Sequence, residues 1–143
     1  MKKVLFVCTG NTCRSPMAEA IFNHITENDD FSASSCGVFA DGISPISENA
    51  KLSLKEIGID SWHTSKKISS EILREADLII GMTENHAKSI VSAFPEFSDK
   101  VFVMPFDISD PYGCSLEVYR DCRNEIEKGV RMIISVLSGE NNG

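Results

Sequence analysis

The stretch Val4-Leu5-Phe6-Val7-Cys8-Thr9-Gly10-Asn11-Thr12-Cys13-Arg14-Ser15-Pro16-Met17-Ala18 decides how this chain is read. Val4 to Val7 is a continuous apolar run of the kind buried on both faces of a parallel sheet. Pro16 suits the first turn of a helix that carries Met17, Ala18, Ala20, Ile21, Phe22 and Ile25. Strand, turn and helix follow one another without a linker, which is the opening of a βαβ unit.

The turn itself has chemistry. Cys8 and Arg14 are separated by five residues that include Gly10 and Asn11. Both of these tolerate left-handed backbone angles, so the turn can curl its amides inward and form an anion nest. The helix that follows adds unpaired N–H groups and the positive end of its dipole. Arg14 closes the ring with a planar, bidentate donor for phosphate oxygens. The same donors favour a thiolate, so Cys8 is expected to ionise below its ordinary pKa and act as a nucleophile. Spacing alone is weak, because Cys114 and Arg120 match it as well. That second pair falls in a predicted helix with no glycine between its ends, and Cys114 is read as structural.

Outward from this turn, short β-rich runs alternate with helical patterns. Phe31–Cys36 is a weaker strand, and residues 37–45 form a Gly- and Pro-bearing loop. Ser47 can cap a helix bearing Ala50, Leu52, Leu54 and Ile57, which Gly58 stops. A short helix around Ile72 precedes the strand Leu78-Ile79-Ile80. A helix then runs from about Glu84 to Phe94, before Pro95. Val101–Met104 is the last strand, and a closing helix spans about Ser115 to Leu137. This order implies right-handed parallel crossovers and a three-layer α/β sandwich with a four-stranded parallel sheet flanked by helices. Residues 1–138 are expected to form a single domain, and residues 139–143 a flexible tail. Ligands of such folds bind beyond the carboxyl ends of the strands, so the turns after Val7 and Met104 should share a crevice.

Composition narrows the class. With 143 residues, 14 Lys and Arg against 21 Asp and Glu leave a net charge of −7. An acidic chain is a poor partner for nucleic acid or an anionic membrane, and neither is expected. No apolar run is long enough to span a membrane, and the apolar part after Lys2-Lys3 is too short for a secretion signal. The five cysteines are odd in number and irregularly spaced, and His24, His63 and His86 fall in unrelated segments. Neither a disulfide framework nor a metal site is supported, and a reduced cytoplasmic protein is expected. The histidines are assigned surface or packing roles, Trp62 partial core, Cys36 packing, and Glu27-Asn28-Asp29-Asp30 a solvated acidic turn.

Val7 to Glu19 resembles the signature of the low-molecular-weight protein tyrosine phosphatases. The likeness extends through Ser35-Cys36-Gly37-Val38, Ala76-Asp77-Leu78-Ile79 and Asp110-Pro111-Tyr112. The resemblance implies a cysteine nucleophile at Cys8, phosphate binding by Arg14 and the loop residues Thr9, Gly10, Asn11, Thr12, Cys13 and Ser15, and a general acid at Asp110. It implies further that the Ser15 hydroxyl supports the sulfur and that Asn11 holds the loop with Ser35 as a hydrogen-bond partner. No cofactor or metal is implied, and the implied partners are phosphorylated proteins; a monomer is the default expectation. A cysteine at position 13 implies either a reversible disulfide with Cys8 or a small buried residue at the helix start.

Asp107 is the competing acid, but Pro111 stiffens the loop that would aim Asp110. Phe39 and Tyr112 are candidate aromatic walls for a phosphotyrosine ring. Gly113 stands where relatives often carry a second tyrosine. Thr12 occupies a specificity position where a bulkier aliphatic residue accompanies tyrosine-directed members. The reading is therefore a metal-independent phosphatase hydrolysing phosphotyrosine through a phosphocysteine, with protein arginine phosphatase as the alternative. Arsenate reductase and a non-hydrolytic phosphocarrier are more remote. The former needs further cysteines after the third strand, and Gly81 to Ser92 has none.

Overall fold

The structure is a computed structural model, and it describes residues 2–27 and 30–139. Strand β1 (Lys2–Cys8) is followed by helix α1 (Arg14–Ile25), strand β2 (Phe31–Gly37), and helices α2 (Glu48–Lys55) and α3 (Ser70–Glu75). Strand β3 (Leu78–Gly81), helix α4 (Glu84–Ala93), a 3-10 turn (Pro95–Lys100), strand β4 (Val101–Val103) and helix α5 (Leu116–Leu137) complete the order. All four strands are parallel and lie in the order β2-β1-β3-β4. The expected three-layer sandwich is what the chain adopts.

Alternation along β1 builds the two outer layers. Val4, Phe6 and Cys8 face one side, where they pack with Met17 and Phe22 of α1 and Ile126 and Val130 of α5. Leu5 and Val7 face the other, against Leu73 of α3, Ile79 of β3 and Ile90 of α4. Successive strand side chains point to opposite faces, so an unbroken apolar run is what a central strand needs. The rings of Phe6 and Phe22 meet edge to face at 5.9 Å. Truncating a buried phenylalanine of this kind to alanine costs about 3–5 kcal/mol.

Since β1 sits between β2 and β3, the connections leaving it diverge, and a crevice opens at its carboxyl end. Residues 9–13 occupy that position.

Several local expectations change. Helix α1 begins at Arg14, two residues before Pro16, because the loop amides turn directly into the helix. Ser47 precedes α2 as expected, yet its hydroxyl makes no capping bond and instead faces Cys13 and Tyr119. Cys114 lies exposed ahead of α5, whose cap is Ser115, so it is not a buried structural residue. Trp62 is 83% exposed, with the Lys51 ammonium 4.1 Å above its ring, and adds nothing to the core. Glu27 and Asp30 are exposed, whereas Asn28 and Asp29 of that turn lie outside the described residues. So does the tail beyond Gly139.

Candidate active site

Cys8 ends β1 and Arg14 begins α1, and the five residues between them are laced to the rest of the fold. The Val38 amide donates to the Cys8 carbonyl and the Phe39 amide to the Thr9 carbonyl, each at 2.9 Å. On the other side the Ser47 amide donates to the Thr12 carbonyl at 2.9 Å. Gly37 permits the close approach of β2: a Cβ there would lie 2.4 Å from the Thr9 carbonyl oxygen. Of the two residues expected to tolerate left-handed angles, only Asn11 adopts one, at φ 57°. Asparagine accepts this conformation more readily than other side-chain-bearing residues because its short polar side chain bonds locally.

That side chain is buried and fully used. Asn11 Nδ2 donates to Ser15 Oγ at 2.8 Å and to Ser35 Oγ at 2.9 Å. Asn11 Oδ1 accepts the Lys66 amide at 2.9 Å and lies 2.7 Å from His63 Nε2. An amide oxygen only accepts, so His63 carries its proton on Nε2. Ser35 in turn donates to Glu19 Oε1 at 2.7 Å, and His63 Nδ1 stands 3.7 Å from the same oxygen. Burial pushes the His63 pKa down, as does Lys66, against the pull of the Asn11 bond. Burial pushes Glu19 up, opposed by Ser35 and Lys66. Ser35 thus partners Asn11 as the resemblance implied, while His63, Lys66 and Glu19 were not foreseen.

Ser15 Oγ is 2.8 Å from the buried Cys8 sulfur. The hydroxyl already accepts from Asn11, so its own hydrogen is available to the sulfur. The anticipated depression of the Cys8 pKa is corrected by the structure: burial raises it. The Ser15 hydroxyl and amide, Arg14 and the Asn11 amide all pull in the opposite direction. The stabilising donors are where the sequence put them, but the sulfur is withdrawn from water at the base of the loop, and that withdrawal costs the anion more.

Arg14 Nη1 donates to the Ile108 carbonyl at 3.0 Å, and Nη2 lies 3.7 Å from Asp110 Oδ2. Asp110 Oδ1 accepts the Tyr112 amide at 3.1 Å, the short-range turn bond expected of Asp-Pro-Tyr. Asp107 points elsewhere: its Oδ1 accepts the Glu84 amide at 2.9 Å and serves the start of α4. A cavity of about 210 Å³ is lined by the loop from Cys8 to Arg14 together with Asp110 and Tyr112. Tyr112 therefore stands at the mouth. Phe39 does not: it is exposed beside the loop, and only its amide engages it. A larger cavity of about 700 Å³ lies behind the loop, against Glu19 and His63, and does not contain the cysteine.

Cys13 is buried, with its sulfur 3.2 Å from the Tyr119 hydroxyl and 3.4 Å from Ser47 Oγ, which its thiol donates to. Burial and Cys13 together push the Tyr119 hydroxyl pKa up. Two histidines also depart from their expected bland roles. His63 supports Asn11, and His86 Nε2 lies 2.9 Å from Thr9 Oγ1.

A sulfur and a guanidinium brought to one cavity between a strand end and a helix start are the arrangement expected of a cysteine-dependent phosphatase. Residues 3–142 match the family described as low molecular weight phosphotyrosine protein phosphatase, and the chain belongs to that family. It is 40% identical to a protein-arginine-phosphatase of Geobacillus stearothermophilus, over 96% of this chain and 97% of the relative. A low molecular weight protein tyrosine phosphatase structure from T. tengcongensis superposes with a TM-score of 0.90 at 43% identity, covering 94% of this chain and 99% of that one. An arsenate reductase of Brevibacillus brevis is 38% identical over 97% of each chain.

Proposed function

We propose that the protein dephosphorylates phosphoarginine residues of proteins through a phosphocysteine. The observation that carries this reading is the convergence of Cys8, Arg14 and Asp110 on one small cavity whose lining includes the hydroxyl-bearing Thr12. Cys8 attacks phosphorus in line as its thiolate, the form that the Ser15 hydroxyl and amide, Arg14 and the Asn11 amide favour against burial, and the S–P bond forms as the P–N bond breaks. Arg14 and the amides of residues 9–14 hold the three non-bridging oxygens, where transition-state charge resides. Asp110 gives its proton to the departing guanidine nitrogen. Its carboxylate then takes a proton from the water that attacks phosphorus, and breakage of the S–P bond releases phosphate and restores the thiolate.

Thr12 and the arginine-directed relative support phosphoarginine, since a hydroxyl in the cavity lining accommodates a polar guanidine better than an aliphatic side chain would. Phosphotyrosine is the second reading, supported by Tyr112 at the mouth and the tyrosine-directed relative. The same residues would act, with a phenolic oxygen leaving. Reduction of arsenate lacks support, because α4 and the residues before it contain no cysteine to take part in disulfide exchange. The proposed setting is a cytoplasmic monomer of one domain, residues 1–138, acting on phosphoproteins and not on nucleic acid or membrane. Among the described residues no helix is long and apolar enough to cross a bilayer.

Phosphoarginine and phosphotyrosine peptides assayed side by side, with wild type and Thr12→Ile, test the choice. Preference for phosphoarginine that falls in the variant is expected. Wild-type preference for phosphotyrosine would overturn the main reading in favour of the second. Cys8→Ser should abolish turnover of both.

A further inference from the structure

Thr9 is the first loop residue after Cys8, and its side chain is exposed at the cavity's edge. Its Oγ1 lies 2.9 Å from Nε2 of His86, which sits in the first turn of α4 and is only 7% exposed. The other ring nitrogen, Nδ1, is 3.0 Å from Thr83 Oγ1, which caps the helix by accepting the His86 amide at 3.3 Å. Three side chains from two turns at adjacent strand ends thus form one hydrogen-bonded row leading to the cavity. The dephosphorylation steps given above make no use of this row.

We infer that Thr9, held in place by His86, contacts the substrate's leaving group and favours a guanidine over a phenol. The inference rests on the phosphoarginine reading and assigns it a further specificity contact. A phosphorylated guanidine presents N–H donors beside the bond that breaks, whereas a phenyl ester presents a ring edge without donors. The complementary arrangement directs the Thr9 hydrogen to Nε2 and turns an oxygen lone pair toward the cavity, where it accepts a guanidine N–H. Nδ1–H then donates to Thr83 Oγ1, which also accepts the His86 amide, so both ring nitrogens are partnered.

The arrangement requires a neutral ring. Burial, and then Arg14, hold the His86 pKa down to about 4, with Asp110 and Asp107 pulling the other way. A charged ring would have no lone pair for Thr9 and would set a second cation beside Arg14. His86 is accordingly a positioning residue, and Thr9 is the contact.

The test compares kcat/KM for phosphoarginine and phosphotyrosine peptides in wild type, Thr9→Val, His86→Ala, His86→Gln and the Thr9→Val/His86→Ala pair. Loss of one hydrogen bond to a charged group predicts that the phosphoarginine-to-phosphotyrosine ratio falls about tenfold in Thr9→Val and in His86→Ala. The double variant should fall no further than either alone, and His86→Gln, whose amide oxygen can accept from Thr9, should recover most of the ratio. Nitrogen-15 NMR of the wild-type ring should place the proton on Nδ1. An unchanged ratio, additive losses or a proton on Nε2 would overturn the inference while leaving the phosphoarginine reading intact. A wild-type enzyme inactive on phosphoarginine would overturn both, and that result is read before any variant is made. Thr9 is exposed, so its valine variant tests the contact even if changes at His86 unfold α4.

Discussion

The Ser15 hydroxyl stands 2.8 Å from the Cys8 sulfur while accepting a hydrogen bond of the same length from Asn11. The acceptor bond leaves its hydrogen for the sulfur in preference to the Cys36 carbonyl, which is farther away at 3.4 Å. A hydroxyl so placed favours the thiolate against the burial that opposes it. Ser15→Ala should therefore raise the Cys8 pKa further. The rise in alkylation rate with pH should move to higher pH, with rates at neutral pH about tenfold lower. Iodoacetamide labelling of Cys8, followed by peptide mass spectrometry, measures this directly. An unmoved profile would mean that the hydroxyl only packs the loop.

Asp110 and Asp107 are separated by three positions yet do different work. One faces Arg14 at the cavity, and the other accepts an amide at the start of α4. Asp110→Asn should lower kcat about 10²–10⁴-fold on a phenyl phosphate ester, whose leaving oxygen needs the proton. Asp107→Asn should leave kcat within a few-fold and lower thermal stability slightly by weakening the α4 terminus. Steady-state rates and melting curves of the two variants decide it, and the reverse ranking would refute the assignment of Asp110.

How much of this could be seen in the residues follows from how local each feature is. Cys8, Arg14 and the strand-turn-helix around them lie within a dozen positions, where periodicity and turn chemistry are informative. Asp110 is legible through the family resemblance, with Pro111 beside it favouring it over Asp107. His63 and His86 reach the loop from 52 and 77 positions away, and apolar patterning does not tell which polar side chain turns inward. A usable signal existed for His86. β3 neighbours β1, so the turn after Gly81 also opens at the crevice, and Thr83 with His86 stands at its start. Carboxyl ends of strands point to this turn as much as to those after β1 and β4. Trp62 differs in the opposite direction, because a large apolar ring can stay at the surface with a lysine ammonium stacked over its face.

Gly37 carries another testable consequence of close packing. Its missing Cβ leaves room for the Thr9 carbonyl, and the clash in an alanine variant would be with loop backbone, the Thr9 carbonyl oxygen and the Asn11 nitrogen. The loop cannot yield without moving the backbone that lines the cavity at Cys8. Gly37→Ala should lower kcat/KM about 10²-fold, the loss expected when reacting groups are misplaced by roughly 1 Å. Stability should fall by about 1–3 kcal/mol from overpacking. Phosphate affinity by calorimetry, together with urea unfolding, separates the two effects. Full activity would show that β2 and the loop move together.

Acid sensitivity follows from the two histidines at the loop. Both have pKa values below that of a histidine in the unfolded chain, His86 falling to about 4. Between roughly pH 6.5 and 4 the unfolded chain therefore binds more protons than the folded one, and stability rises with pH across that window. The contribution is fully present above pH 6.5 and is lost as pH falls toward the folded value. His86→Gln removes one of the two groups and leaves the rest of the chain unchanged in the comparison. The wild-type advantage in Tm over the variant should shrink steadily from pH 7 to pH 4. Melting curves at pH 7, 5.5 and 4 at fixed salt report it. A constant difference would mean that His86 takes up its proton in the folded protein as readily as in the unfolded chain.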